Sequence, residues 1–342
     1  MKIKIYLIEH LVWIILLSGC IEDNISPPLT GKLDSVAEML IYFESQGDFP
    51  NSDFAPALVE AEEIFINLNS FLIIDIRPSD EFLVGHIENA VNVISDSLFD
   101  YVEKNYNSGY PKIAIVSKNG QSSAYYTCLL RLAGFNNVYS MNFGMAAWNE
   151  VFADEWLGNI GDDEGVNFYT NYNFEKNEFN SLPQFSVSST DESIVARVRK
   201  RIKEILIVGF TQNIIFTNGI NTNLYMVCYG KRRLYNAAKN GVFGEKGHPF
   251  NTASYHDSPL FELRSNKYLQ TLPNSEKILI YDYNGQLGAC MTAYLRVLGY
   301  DVKFLKFGAN RLFYSRLLAD PELSGFAFTP SIIKGYPFVG GQ

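Results

Sequence analysis

Two α/β domains, each a doubly wound, mainly parallel sheet with helices on both faces, are what this sequence predicts, and three observations carry the reading. Residues 71–76, apolar except for Asp75, and 113–116 are runs of strand length, each giving way to polar or glycine residues and then to helical spacing. Strands alternating with helices imply a parallel sheet covered on both faces. The same order then recurs. Asn119-Gly120-Gln121 and Asn284-Gly285-Gln286 stand 165 residues apart, as do Gly134 and Gly299; Phe143-Gly144 and Phe307-Gly308 are offset by 164, and Gly85-His86 and Gly247-His248 by 162. Finally, 342 residues with 47% hydrophobic and 14% aromatic side chains can fill two cores of ordinary size. The duplication sets domain 1 at 35–156, a linker at 157–188 and domain 2 at 189–332.

In chain order, residues 1–19 read as an export signal, with Lys2 and Lys4 ahead of an apolar run over 11–17 that is too short to span a bilayer. Its end, Leu17-Ser18-Gly19-Cys20, resembles the bacterial lipobox, in which the signal is cut before Cys and the thiol carries diacylglycerol. That resemblance implies lipidation of Cys20 and an anchor in the inner or outer membrane of the envelope. Residues 20–34, with Pro27, Pro28 and Gly31, read as a short tether. After the strand at 113–116 and its loop, Ala124, Tyr125, Cys128, Leu129 and Leu132 keep helical steps until Gly134 ends them, and 138–141 returns as a strand. The linker is rich in Asn, Gly, Asp and Ser and lacks an apolar period. Ser189-x-x-Glu192 resembles a capping box for a helix from Ile194 onward. The cations of that helix, Arg197, Arg199, Lys200, Arg201 and Lys203, are expected on a solvated face, with anionic lipid or an acidic partner as the alternative. Residues 278–281, the loop that follows, a helix through Leu295 and Leu298, and 299–304 repeat the strand, loop, helix and strand of the first copy.

A formal charge of −9 excludes a general nucleic-acid or polyanion binder, which needs a basic surface. With Cys20 lipidated, Cys128, Cys228 and Cys290 remain in an oxidising compartment, where three thiols cannot all pair. Each is expected in the core, with a Cys228–Cys290 disulfide as a minor option. No Cys-x-x-Cys or Cys/His ligand spacing occurs and His10, His86, His248 and His256 are scattered, so neither a metal nor a cofactor is expected.

The stretch Ile74-Asp75-Ile76-Arg77-Pro78-Ser79-Asp80-Glu81-Phe82-Leu83-Val84-Gly85-His86-Ile87-Glu88-Asn89-Ala90-Val91-Asn92 closely resembles the rhodanese domain, whose pattern runs Asp-x-Arg, Glu-Phe, Gly-His-Ile-Pro-Gly-Ala and Asn. Glu88 and Asn89 replace the Pro-Gly. The second copy keeps Gly247-His248 and blurs the Asp-x-Arg into Val227-Cys228-Tyr229-Gly230. The resemblance implies that Asp75, Arg77, Glu81, Gly85, His86, Gly247 and His248 are scaffold that holds loops by hydrogen bonds.

It also implies where chemistry should lie. Active rhodaneses carry a Cys just after the central strand, in a loop whose inward N–H groups and helix dipole stabilise a thiolate and bind the sulfur donor's oxyanion. The matching positions here are Ser117 and Asp282, and neither can hold a persulfide. The facing arginine is absent too, its positions being Ser122 and Leu287. The expectation is therefore a membrane-anchored tandem rhodanese-like lipoprotein without catalysis, binding an envelope protein or a small polar ligand. A weak pocket at Ser117, Gly120, Gln121, Ser122, Asp282, Gly285 and Gln286 competes with a plain β–α turn that only closes the fold. The alternative is a sulfurtransferase using a non-standard thiol such as Cys290.

Overall fold

The computed structural model describes residues 35–169, 174–185, 193–221, 223–236 and 247–340. The expected signal, Cys20, the tether and Ser189-x-x-Glu192 lie outside them. In the first half, Leu58–Val59 (β1), Phe71–Asp75 (β2), Val91–Asn92 (β3), Lys112–Val116 (β4) and Val138–Met141 (β5) form a parallel sheet in the order β1-β5-β4-β2-β3. In the second, Phe168–Tyr169 (β6) pairs antiparallel with His248–Pro249 (β9). Ile214–Ile215 (β7), Leu224–Tyr229 (β8), Thr252–Tyr255 (β10), Lys277–Tyr281 (β11) and Val302–Leu305 (β12) form another parallel sheet, ordered β7-β12-β11-β8-β10. The two orders are the same strand for strand.

The helices are Ser35–Ser45 (α1), Ala61–Ile66 (α2), Ser79–Val84 (α3), Ser95–Asn105 (α4), Gln121–Leu132 (α5), Met145–Trp148 (α6), Asp154–Leu157 (α7), Ile194–Val208 (α8), Arg232–Tyr235 (α9), Gln286–Val297 (α10), Ala309–Leu312 (α11) and Tyr314–Ala319 (α12). Because side chains alternate along a strand, Leu72, Ile74, Ile113 and Ile115 join one core and Phe71, Ile73, Ala114 and Val116 another. Tyr225, Val227, Ile278 and Ile280 of the second sheet enter the same core as the first set, whereas Leu224, Met226, Cys228 and Tyr281 lie on the far face. The two sheets thus share a helical layer. Within it α5 packs along α10, the most extensive contact between any two elements.

Helix α8 completes that layer, burying Val198, Ile202, Ile205 and Leu206 at helical spacing. Its N-cap is Ser193, whose Oγ accepts from Ala196 N at 3.3 Å. The cations expected on a solvated face are largely engaged within the chain. Arg197 pairs with Glu38 of α1, Arg199 with Glu103 at 2.7 Å and Lys203 with Asp100 at 2.8 Å, both on α4. Opposite charges on three helices meet at the seam, which periodicity within one helix does not reveal.

The linker clings to the second half through β6 and a bridge from Asp162 to Phe313. Beyond residue 332 the chain returns to the first half as a strap. Lys334 N donates to Ala147 O at 3.0 Å, Tyr336 N to Trp148 O at 2.9 Å, and Val339 exchanges backbone bonds with His86. Tyr336 stacks on Phe65 at 4.0 Å.

Candidate functional site: two facing loops

Each central strand delivers its loop to the C-terminal edge of its sheet, where open parallel sheets place reactive groups. The β4–α5 loop carries Ser117, Asn119 and Gly120; the β11–α10 loop carries Asp282, Asn284 and Gly285. In both, an Asn caps the turn: Asn119 Oδ1 accepts from Gln121 N at 3.0 Å and Asn284 Oδ1 from Gln286 N at 3.1 Å.

In the first loop several amides are already used by the loop's own side chains. Ser117 Oγ accepts from Gly120 N at 3.1 Å and Ser123 N at 3.3 Å, and donates to Ser123 Oγ at 3.0 Å. Ser117 is 1% exposed. In the second loop Asp282 plays the same part with a charge. Its Oδ1 accepts from Gly285 N at 2.7 Å and its Oδ2 from Leu287 N at 3.1 Å, and the N–H groups of Asn284 and Gly288 also face it. The carboxylate occupies the ring of donors that a bound oxyanion would use. It is the loop's own anion.

The loops also close one another. Gln121 reaches across so that its Oε1 accepts from Phe307 N at 3.2 Å, and Gln286 reaches back so that its Oε1 accepts from Phe143 N at 3.0 Å. Gln286 Nε2 donates further to Asn142 Oδ1 at 2.9 Å. Lys306 stands at the corresponding position in the second half and pairs with Glu155 instead, leaving Gln121 Nε2 without a partner among the described residues. Trp156, fully buried, lies between the halves, stacking on Phe328 at 4.9 Å and meeting Phe143 and Phe307 edge-on. Its indole donates to Asn119 O at 3.1 Å. The expected pocket residues Ser117, Gly120, Gln121, Asp282, Gly285 and Gln286 are therefore brought together as one buried joint, and Ser122 stays half-buried at its rim.

Burial pushes the Asp282 carboxyl up to about 6, desolvation outweighing the four N–H donors. An acid raised in the folded state contributes stability that is full below its ordinary value of 3.8 and lost as pH rises through about 6. The difference in unfolding free energy between pH 4 and pH 7.5 should accordingly shrink by roughly 2 kcal/mol in Asp282→Asn. Denaturant titrations of both proteins at the two pH values check this.

The motif residues sit where scaffold belongs. Buried Arg77 forms a bidentate pair with Asp75, Nη2 to Oδ2 at 2.7 Å, and the same Nη2 donates to Gly85 O at 2.7 Å. His86 stacks on Phe82 and its Nδ1 lies 2.9 Å from Phe82 O; His248 stacks on Tyr235 with Nδ1 3.3 Å from Tyr235 O. Glu81 is half-buried and its carbonyl accepts from Gly85 N. In the second half the buried arginine at the Gly-His turn is Arg316 of α12, which donates to Gly247 O at 3.2 Å and Arg233 O at 2.6 Å. No local motif announces that contact.

Cys128, Cys228 and Cys290 are all fully buried, and burial holds the Cys228 thiol up at about 12. The Cys228–Cys290 option fails because Cys228 points to the outer face of the second sheet while Cys290 lies in the shared layer. No group of three metal-ligating side chains occurs among the described residues. One concave surface does open at the second loop, a cleft of about 290 Å³ to whose lining the loop itself contributes Tyr283, Asn284, Gln286 and Leu287, opposite Pro56 and Asp257. Tyr283 OH donates to Asp257 Oδ2 at 2.7 Å and accepts from Lys231 N at 2.7 Å, fixing its polar end.

Comparison with known proteins finds a family match within the first half. The family profile for the rhodanese-like domain matches residues 59–151. The thiosulfate sulfurtransferase GlpE of Shewanella oneidensis is 31% identical over 85 residues, spanning 25% of this chain and 81% of that protein. GlpE of Pseudomonas entomophila is 30% identical over 84 residues, 25% of this chain and 75% of its own. Among solved structures, a thiosulfate sulfurtransferase from Pseudomonas aeruginosa aligns over 80% of this chain and 46% of its own at 14% identity and a TM-score of 0.27. The 3-mercaptopyruvate sulfotransferase SseA from Escherichia coli aligns over 72% and 97% at 13% identity and a TM-score of 0.25.

Proposed function

This chain belongs to the rhodanese-like domain family, and we propose that both halves are rhodanese-like copies whose reactive loops have become a closed joint, making a lipid-anchored, non-catalytic binding module of the cell envelope. The observation that carries this is that both loops spend amides on their own side chains. Ser117 Oγ and the Asp282 carboxylate take the amides that a persulfide and its donor would need, and Gln121 and Gln286 lie across the mouths. The activity named in the GlpE relatives requires an accessible thiol, and none of the three described cysteines has surface. A function that remains for such a fold is recognition. The cleft beside Tyr283 supports it, suiting a small ligand or peptide with an apolar body and a hydrogen-bonding end.

The test is thiocyanate formation from thiosulfate and cyanide by the full chain. No turnover above the protein-free rate is expected; turnover that Cys290→Ser abolishes would establish the sulfurtransferase reading instead. The anchor is tested alongside, with Cys20→Ser expected to release the chain from membranes.

A further inference from the structure

We propose that Cys128 and Cys290 form a disulfide that staples the two halves of the chain through the shared helical layer. Cys128 sits mid-way along α5 and Cys290 in the second turn of α10, and both are fully buried where those helices pack on one another. Both are free thiols in this structure and belong to the same buried cluster, with each sulfur within interaction range of the other and the Cys128 sulfur also near the backbone of Tyr294, one turn along α10 from Cys290. The pairing is unambiguous, since Cys228, the remaining described thiol, belongs to the core on the other side of the second sheet. A link between positions 162 apart constrains the unfolded chain strongly.

The bond forms during folding, while the thiols are still accessible. A thiolate of one cysteine attacks an external disulfide, and the second cysteine displaces the resulting mixed disulfide. Two thiols and one disulfide oxidant become one protein disulfide and two reduced thiols, the two cysteine protons passing to the leaving thiolates. The oxidant is any small-molecule or protein disulfide; export would supply one, but the chemistry does not depend on where the chain resides.

The experiment refolds denatured Cys20→Ser chain in a glutathione redox buffer, quenches by alkylation under denaturing conditions, and reads mass and linked peptides. The expected result is loss of two hydrogens, a Cys128–Cys290 peptide and a single alkylated thiol at Cys228, retained in Cys228→Ala and lost in Cys290→Ala. The oxidised form should also unfold roughly 5–10 °C above the reduced form. Three alkylated thiols on refolded protein, or a link through Cys228, would overturn the proposal whatever the outcome of the turnover assay.

Discussion

Gly144→Ala is expected to lower stability by more than ~3 kcal/mol, the largest effect of any single methyl group in the joint. Gly144 has φ 61° and ψ −153°, a combination open only to glycine. A Cβ there would stand 2.2 Å from Ser117 O and 2.6 Å from Gly120 N. Both are backbone atoms of the closed loop, and Met145 N already holds Ser117 O at 2.8 Å, so neither can retreat without breaking the turn. Gly308 repeats the arrangement over the second loop, with φ 51° and a Cβ position 2.5 Å from Asp282 O. Its alanine variant should cost a similar amount. Denaturant midpoints decide, and a loss under ~1 kcal/mol for both would show that the loops have room to move.

Arg77→Ala is expected to cost about 3–5 kcal/mol, because it strands a buried carboxylate. Asp75 and Arg77 are 0% and 4% exposed, and the guanidinium also satisfies Gly85 O. Removing the cation leaves two acceptors unpaired in the core. Asp75→Ala alone should be comparably damaging, while the double variant should cost well under the sum, since the pair is a single coupled unit. Additive losses measured by chemical denaturation would place the effect elsewhere, for instance in lost packing of Arg77 over Phe152.

Much of this architecture was legible from residues alone. Parallel strands buried on both faces read as unbroken apolar runs, which is why the strands at Phe71–Asp75, Lys112–Val116 and Lys277–Tyr281 fall within a residue or two of expectation. The repeat fixed the equivalence of the two Asn-Gly-Gln loops. What stayed hidden depends on contacts across the seam. Gln121 and Gln286 look like unremarkable first-turn residues until the other half is present. Arg316 binds the second Gly-His turn from α12 as Arg77 binds the first from the loop after β2, and Cys128 and Cys290 share one core because α5 packs along α10. Local periodicity carries no information about any of these. The resemblance pointed to Ser117 and Asp282 as the positions of interest, but that these side chains accept the amides of their own loops follows only from their hydrogen bonds.

Sulfur transfer by Ser117→Cys tests the closed joint most directly. The variant places a thiol in the loop before α5 while Gln286 still lies across it, so thiosulfate should leave no cyanide-labile sulfur on the protein. Persulfide formation and steady thiocyanate release by that single variant would contradict the account, showing a cradle that was empty and open rather than occupied and shut.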